Sequence, residues 1–556
     1  MTGSQSAGRD RGSRIQPHLR ESRSGVASAV GTSVGRARDS AWGARLRQAE
    51  TGNAGRPGIF GATRRRLASN IEPPSNQDTW AEGAEAQMIF KQVHLEGLGH
   101  ASYLIGSEKT GQALVLDVRR DVGEYFELAR EQGLRISYAA DTHQHNDYLT
   151  GICELPRRGD VELLASARAE LGYRARAMHD GDIFEMGEVV FETLATPGHT
   201  PEHISFLVRD RSRGDEPVLL LSGGALLVGD VARPDLLGGA EETRQAAEAL
   251  CHTLQTKILT LPDHVMVFPT HVAGSLCGGH IGSMLFTTIG YERRMNALLA
   301  SITSEREFVR ECLDLAELPT VPPYWARMRG QNQNGPPALG VLSEPPPLGP
   351  NAVQTAIKEG ATVLDCRSPE AFGGGHIPGA LNVGAGSSFP TWAGTVLPAD
   401  ARVVLVLSHQ SELWDICMHL LRIGYELPAG WLAGGMQAWR TAAKPIESLP
   451  QLTVWDLARR LDDERDLHVL DVRQPSEWRG GVIPGAQRIP GGEVSERVDE
   501  IPRERPLAVI CGSGYRSSVV ASMLARRGRE RIASVLGGMT AYKRAGLPTR
   551  QPGDGA

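Results

Sequence analysis

The chain has 556 residues, a formal net charge of −6, 41% hydrophobic and 22% charged residues. That is an ordinary globular composition, long enough for three to five domains of roughly 100–200 residues, and it carries no basic field for nucleic acid. Seven cysteines with no CxxC pair argue against a disulfide framework and a zinc knuckle, and no apolar run approaches the ~20 residues of a membrane span, so the expectation is a cytoplasmic chain with no membrane or nucleic-acid partner.

Residues 1–87 are rich in Ser, Gly, Ala and Arg and have no apolar h-region. They read as a disordered extension, with Met88 a natural alternative start. From 88 to 330 short apolar strands, at 88–93, 113–117, 134–140, 189–194 and 265–268, alternate with helical stretches such as 122–132. This is α/β patterning. Residues 331–350, QNQNGPPALGVLSEPPPLGP, form a linker by composition. An internal repeat follows, over 351–448 and 449–556. Val363-Leu364-Asp365-Cys366-Arg367 recurs as Val469-Leu470-Asp471-Val472-Arg473, and Gly434-Gly435-Met436 as Gly537-Gly538-Met539.

The densest chemical signal is Asp141-Thr142-His143-Gln144-His145-Asn146-Asp147-Tyr148, directly after the strand at 134–140. Two histidines at i, i+2 with a carboxylate two further on can converge on one ion only from a tight loop. His199, Asp230 and His271 each follow another apolar strand, and strand ends of a sandwich place such groups along one rim. Imidazoles with a carboxylate suit zinc or iron.

In the last repeat the strand at 507–510 runs into Cys511-Gly512-Ser513-Gly514-Tyr515-Arg516 and then a helix over 517–526. Loop N–H groups, the helix N-terminus and Arg516 all favour a thiolate at Cys511, and the loop (Gly512, Ser513, Gly514, Tyr515) can cradle a cysteine persulfide and its sulfur oxyanion. In the first repeat the strand at 403–407 leads to Ser408-His409-Gln410-Ser411-Glu412-Leu413. Serine is read at the cysteine position and Leu413 at the arginine position. A hydroxyl cannot carry a persulfide, and Glu412 would repel a thiolate.

The metal motifs resemble the metallo-β-lactamase superfamily, whose usual first motif is HxHxDH; Tyr148 replaces its last histidine, which makes a binuclear zinc hydrolase less expected. Gly99-His100-Ala101-Ser102-Tyr103, Gly229-Asp230-Val231-Ala232-Arg233-Pro234-Asp235 and Thr288-Ile289-Gly290-Tyr291-Glu292 resemble its persulfide dioxygenase branch. The Cys511 loop and the repeat around it resemble the rhodanese family, so the whole resembles persulfide dioxygenase–sulfurtransferase fusions. The resemblance implies an α/β chain, a metallo-β-lactamase αββα sandwich followed by two rhodanese domains, the first without its catalytic cysteine. It implies one Fe(II), with zinc as the alternative, held by His143, His199 and Asp230. His145, Asp147 and His271 would orient the ligands, Tyr148 would line the substrate site, and Arg233 would hold a substrate carboxylate or form a structural ion pair. Cys511 and Arg516 would be catalytic. The implied partners are a small thiol persulfide, O₂, and sulfite or thiosulfate; a homo-oligomer stays open. The implied activity is oxidation of the persulfide to sulfite coupled to sulfur transfer. The rivals are a zinc-dependent thioester hydrolase of glyoxalase II type with an appended sulfurtransferase, and a non-enzymatic sulfur carrier.

Overall fold

The computed structural model describes residues 86–300, 302, 304–314, 318–464 and 466–551, so the Arg-rich extension lies outside the described residues apart from its last two. The first apolar stretch is the strand Met88–Leu95, which opens a six-stranded sheet whose strands neighbour one another in chain order through Arg176–Met178. A second six-stranded sheet runs in the same way from Ile183–Met186 to Thr287–Thr288. Period-2 alternation decides which residues go where. Leu114 and Leu116 point between the sheets and meet Phe191, Phe206 and Leu221, whereas Ala113 and Val115 point outward onto Tyr125 and Ala129 of the helix Gly123–Glu131. On the far side Leu220 and Val267 meet Leu250 and Cys251 of the helix Ala240–Thr253. The layering is helix, sheet, sheet, helix, as expected.

Two five-stranded parallel sheets follow with identical strand order, the first over Pro347–Leu348 to Gly430–Leu432 and the second over Gln451–Leu452 to Ile532–Val535. Their register corrects one reading of the repeat. Asp365 pairs with Val406 just as Asp471 pairs with Ile510, which aligns Leu407, not Ser408, with Cys511. The helices agree, Leu413–Arg422 ending two residues before Gly424 as Tyr515–Arg526 ends two before Gly528. Glu412 therefore stands where the second repeat has Arg516.

The segment read as a linker is also different. It begins inside the helix Trp325–Asn334, and Pro347–Leu348 at its far end is already a strand. Composition misled because this helix is held by its partners rather than by propensity. The buried Asn332 donates its amide to the carbonyls of His145 (2.7 Å) and Tyr148 (2.9 Å) and accepts from the N–H of Thr150 (2.9 Å). Tyr324 Oη donates to the Asp147 carbonyl at 2.7 Å. The helix thus clamps the histidine motif from behind. Asn332→Ala should cost about 2–4 kcal/mol, since three buried backbone groups lose partners worth about 1–3 kcal/mol each with partial relaxation. Denaturant unfolding would show it, and a loss below about 0.5 kcal/mol would mean the loop is held by other contacts.

The domains are interlocked. One apolar cluster runs from Tyr148, Leu149 and Tyr324 through Val353 and Leu405 to Cys511 and Val519. The N–H of Leu149 donates to the carbonyl of Arg422 at 2.7 Å, and the Arg422 guanidinium forms a two-toothed pair with Asp121. Among the described residues no helix is long and apolar enough to cross a membrane.

Candidate functional site

Asp117 sets the loop geometry at the N-terminal rim. It ends the strand Gln112–Leu116 with a left-handed backbone, φ 53°. Its buried carboxylate accepts from the N–H of Thr142 (2.6 Å), the Thr142 hydroxyl, the Thr270 hydroxyl and His145 Nε2 (3.1 Å). Two strand-end loops from different sheets are thereby tied to one anion. A second tie fixes His271. It bridges to His100 in the first sheet, flanked by Ala101 N–H to Thr270 O (2.8 Å) and Val272 N–H to Gly99 O (2.8 Å). Gly99 has φ +60°, and a Cβ there would fall 2.0 Å from the Ser275 nitrogen, so the close crossing needs glycine.

Three imidazoles converge at this rim. His143, His199 and His271 each offer a donor atom within 4.8 Å of the others, and all three are buried. Thr142 gives its hydroxyl proton to Asp117 and so accepts from Nδ1–H of His143 at 2.9 Å. Nδ1–H of His199 donates to the Arg233 carbonyl at 3.0 Å, and Nδ1 of His271 lies 3.5 Å from the Asp147 carboxylate. With Nδ1 of His143 and of His199 hydrogen-bonded and that of His271 facing the Asp147 carboxylate, Nε2 of each ring is left for a shared centre. Nε2 of His143 and of His271 are 3.3 Å apart, close to the spacing of two nitrogens at about 2.1 Å from one ion. Nε2 of His199 is buried with no hydrogen-bond partner. Burial and the neighbouring imidazoles hold His143 far below its ordinary pKa, and burial lowers His199 to about 3, so both are neutral donors. Burial opposes ionisation of Asp147, but the His271 ring beside it keeps that carboxyl below its usual range. The donor set fits a single zinc or iron ion.

The expected set of His143, His199 and Asp230 is not what the structure assembles. Asp230 belongs to no group of three donors among the described residues. Its oxygens accept from the N–H groups of Val231 (2.8 Å) and His280 (2.6 Å), and it lines a separate cavity of about 290 Å³ with Ala232, Leu298 and Cys312. The reason lies upstream. Gly224, not a carboxylate, stands beside His199, where a Cβ would come within 2.6 Å of Cδ2 of the ring. The left-handed Gly229 then turns the chain away, its N–H fastened to Glu292 at 3.1 Å. His271 takes the third place.

The other expected residues are placed as follows. His145 is engaged by Asp117 and belongs to a neighbouring group with Asp117 and Asp141. Tyr148 is buried, its ring 4.2 Å from His100 and 4.5 Å from His145, and its hydroxyl has no partner. Arg233 is a structural ion pair: it grips Asp235 at 2.9 and 2.6 Å and the Leu276 and Pro319 carbonyls, which engages four of its five N–H groups.

Glu202 was not singled out from sequence, yet it props the motif. It accepts from the Gln144 N–H at 3.0 Å and from both Arg329 amines at 3.1 and 2.9 Å. Burial works against its ionisation, but these bonds outweigh it and hold the carboxyl below its ordinary 4.5. A depressed carboxyl stabilises the fold above its unfolded pKa and loses that contribution as pH falls through the folded value. The stability gap between wild type and Glu202→Gln should therefore be full at pH 7 and shrink below about pH 4.5. Thermal midpoints across that range test it; a gap that does not shrink on acidification would show that the Glu202 charge is not what supports the loop.

At the C-terminal site the strand Leu507–Ile510 delivers Cys511, buried, to the loop before the helix Tyr515–Arg526. The N–H of Gly514, in the left-handed region at φ +105°, donates to Sγ at 3.1 Å, and the thiol lies 3.6 Å from Ser517 Oγ. Ser513 is exposed at the mouth. Tyr515 donates its hydroxyl to the Gly384 carbonyl of the first repeat at 2.8 Å. Arg516 is paired in parallel with Glu477 at 2.6 and 2.7 Å, a partner that sequence did not reveal because it comes from the preceding Asp471 strand's exit. In the first repeat, Glu412 turns its carboxylate onto the N–H groups of Ser408 and His409, both at 3.2 Å. The amides that would cradle an anion are filled from within.

The rhodanese-like domain family model matches residues 350–442 and 453–545. The mitochondrial persulfide dioxygenase of Bos taurus is 29% identical over 243 residues, 43% of this chain and 85% of that protein. A sulfurtransferase of Allochromatium vinosum is 36% identical over 96 residues, 17% of this chain and 90% of its own length. The crystal structure of a metallo-β-lactamase from Staphylococcus aureus superposes with a TM-score of 0.56 at 32% identity, covering 62% of this chain and 98% of that one.

Proposed function

Because the chain belongs to the metallo-β-lactamase-fold proteins fused to tandem rhodanese domains, its N-terminal domain homologous to persulfide dioxygenases, we propose that it oxidises a low-molecular-weight thiol persulfide to sulfite and moves sulfane sulfur through Cys511. The carrying observation is the buried trio of His143, His199 and His271, with Nδ1 of the first two hydrogen-bonded and that of the third facing the Asp147 carboxylate. These three would hold one iron, which when bound supplies the redox chemistry that O₂ requires. The protein does the rest. Thr142, the Arg233 carbonyl and Asp147 fix the ring orientations, and burial of the whole rim excludes water. Persulfide, O₂ and water give the thiol, bisulfite and a proton. At the second site the Gly514 N–H and the helix N-terminus stabilise the Cys511 thiolate and its persulfide. Sulfite attacking the outer sulfur of that persulfide gives thiosulfate and returns the thiolate.

A zinc hydrolase is the second reading, favoured by one observation: three imidazoles without a carboxylate are also a donor set of hydrated zinc. Oxygen uptake separates the two. Anaerobically purified, Fe(II)-loaded full chain given glutathione persulfide should consume O₂ and release sulfite, diverted to thiosulfate only when Cys511 is intact. No uptake, with tightly bound zinc and thioester cleavage, would overturn the oxygenase and leave the sulfurtransferase.

A further inference from the structure

Residues three and four apart share one stripe of a helix, and Tyr515, Ser518, Ser522 and Arg526 form such a stripe on the helix Tyr515–Arg526. Both serines are buried, and each of the four residues bonds to the silent repeat. Tyr515 reaches the Gly384 carbonyl, and Arg526 donates to the Gly379 carbonyl at 2.9 Å. Between them stands Asn382, on the strand Leu381–Asn382 at the edge of the first five-stranded sheet. Its Oδ1 accepts from the Ser518 hydroxyl at 2.6 Å, and its backbone N–H donates to Ser522 Oγ at 3.0 Å. Its Nδ2 donates to the carbonyls of Asp365 and Arg367, both at 3.0 Å. Two carbonyls on one side and a hydroxyl on the other leave the amide a single orientation. We infer that Asn382, although it belongs to the silent repeat, is a positioning residue for sulfur transfer at Cys511. The inference rests on the reading of Cys511 as a sulfur carrier.

The helix that Asn382 seats is the one that meets the sulfur. Gly514, just before its first turn, donates its N–H to Cys511 Sγ at 3.1 Å. Ser517, about 100° round the axis from Ser518, turns the other way and lies 3.6 Å from Sγ. A helix moves as a rigid element, so a tilt at Ser518 is felt at Ser517 and Gly514. When cyanide takes the outer sulfur of the persulfide, its carbon supplies the electron pair of the new C–S bond. The S–S bond breaks and its pair goes to Sγ, which leaves as thiolate. Negative charge thus gathers where the Gly514 N–H points, and a misplaced N–H costs rate rather than binding. The device runs one way. Asp471 pairs with Arg488 as Asp365 pairs with Asn382, and Arg488 is exposed, its guanidinium 5.7 Å from the centre of the Trp478 ring. The alignment of Leu407 with Cys511 likewise puts the exposed Trp414 at the place of Ser518.

The test uses the full chain. Thiosulfate loads Cys511, its outer sulfur passing to the thiolate as sulfite leaves, and cyanide then discharges it. Thiocyanate released in one discharge counts the competent sites, and kcat per competent site is measured for wild type, Asn382→Ala, Ser518→Ala and the double variant. Each single variant should lower kcat per competent site about tenfold, since misplacement by about 1 Å can cost up to about 100-fold. KM for thiosulfate and for cyanide should stay within about twofold of wild type. The double variant should fall no further than the more impaired single one, because both cut the same tie. An interface that only holds the domains together would lower the count of competent sites and leave turnover at the remainder unchanged. A kcat per site within about twofold of wild type in either single variant that loads sulfur therefore overturns the inference, as do losses that multiply in the double variant. Should Asn382→Ala fail to fold, Ser518→Ala decides alone. No thiocyanate from the wild type would instead remove the reading of Cys511 as a carrier.

Discussion

Replacing His271 with alanine should strip the N-terminal centre of its metal, whereas Asp230→Asn should leave the metal bound. The order of strand-end residues favours the opposite result, so the pair of variants discriminates sharply. His271 Nε2 lies 3.3 Å from His143 Nε2, and its backbone is pinned by the bridge to His100. Removing one of three donors should weaken binding well beyond the roughly 10–100-fold cost of losing an outer partner. Asp147→Asn, which changes only the group beside His271 Nδ1, should fall within that range. Asp230→Asn keeps an oxygen for only one of the Val231 and His280 N–H groups, a local cost, but it removes no member of the three-imidazole group. Metal content after gel filtration, and competition against a chelator, measure all three. Retention of metal by His271→Ala together with its loss from Asp230→Asn would reinstate the carboxylate as a ligand.

Why the sequence points to Asp230 while the structure gathers His271 with His143 and His199 bears on what a sequence can show. His143 and His199 were legible because strand ends and imidazoles are both local signals. The third position is decided by three-dimensional packing. Gly223 is left-handed at φ +57°, Gly224 presses against His199, and by the time the chain reaches Asp230 another left-handed glycine has turned it away. No periodicity announces such turns. Asp117 was hidden for the same reason: it reads as the polar end of an apolar strand, and its role comes from loops 25 and 153 residues further along the chain. The clamp by Asn332 was hidden by composition, since a run of Gln, Asn, Gly and Pro has no intrinsic reason to stay helical without the carbonyls of His145 and Tyr148. By contrast the strands of the sandwich and of both repeats were legible, because burial on one face or both writes itself into the sequence as alternation or as apolar runs.

Restoring a cysteine to the silent repeat should not restore sulfur transfer. In a Cys511→Ser background, where a hydroxyl cannot carry persulfide and cyanolysis of thiosulfate should vanish, Leu407→Cys places a thiol at the position that pairs like Cys511. The strand is right and the cradle is wrong. Glu412 occupies the N–H groups of Ser408 and His409 that would otherwise face a thiolate. It also stands at the place of Arg516, so the local charge is inverted. Two like charges about 4 Å apart near a protein surface repel by about 4 kcal/mol, or roughly three pKa units at 1.36 kcal/mol each. The new thiol should therefore stay protonated at neutral pH and react slowly. Iodoacetamide alkylation across a pH series would show its thiolate forming only well above the usual cysteine range. Adding Glu412→Ala should bring that onset down, since the amides are released and the repulsion removed. If Leu407→Cys alone turned over thiosulfate at a rate near that of Cys511, the carboxylate would not be what silences the first repeat, and the missing sulfur atom would be its whole defect.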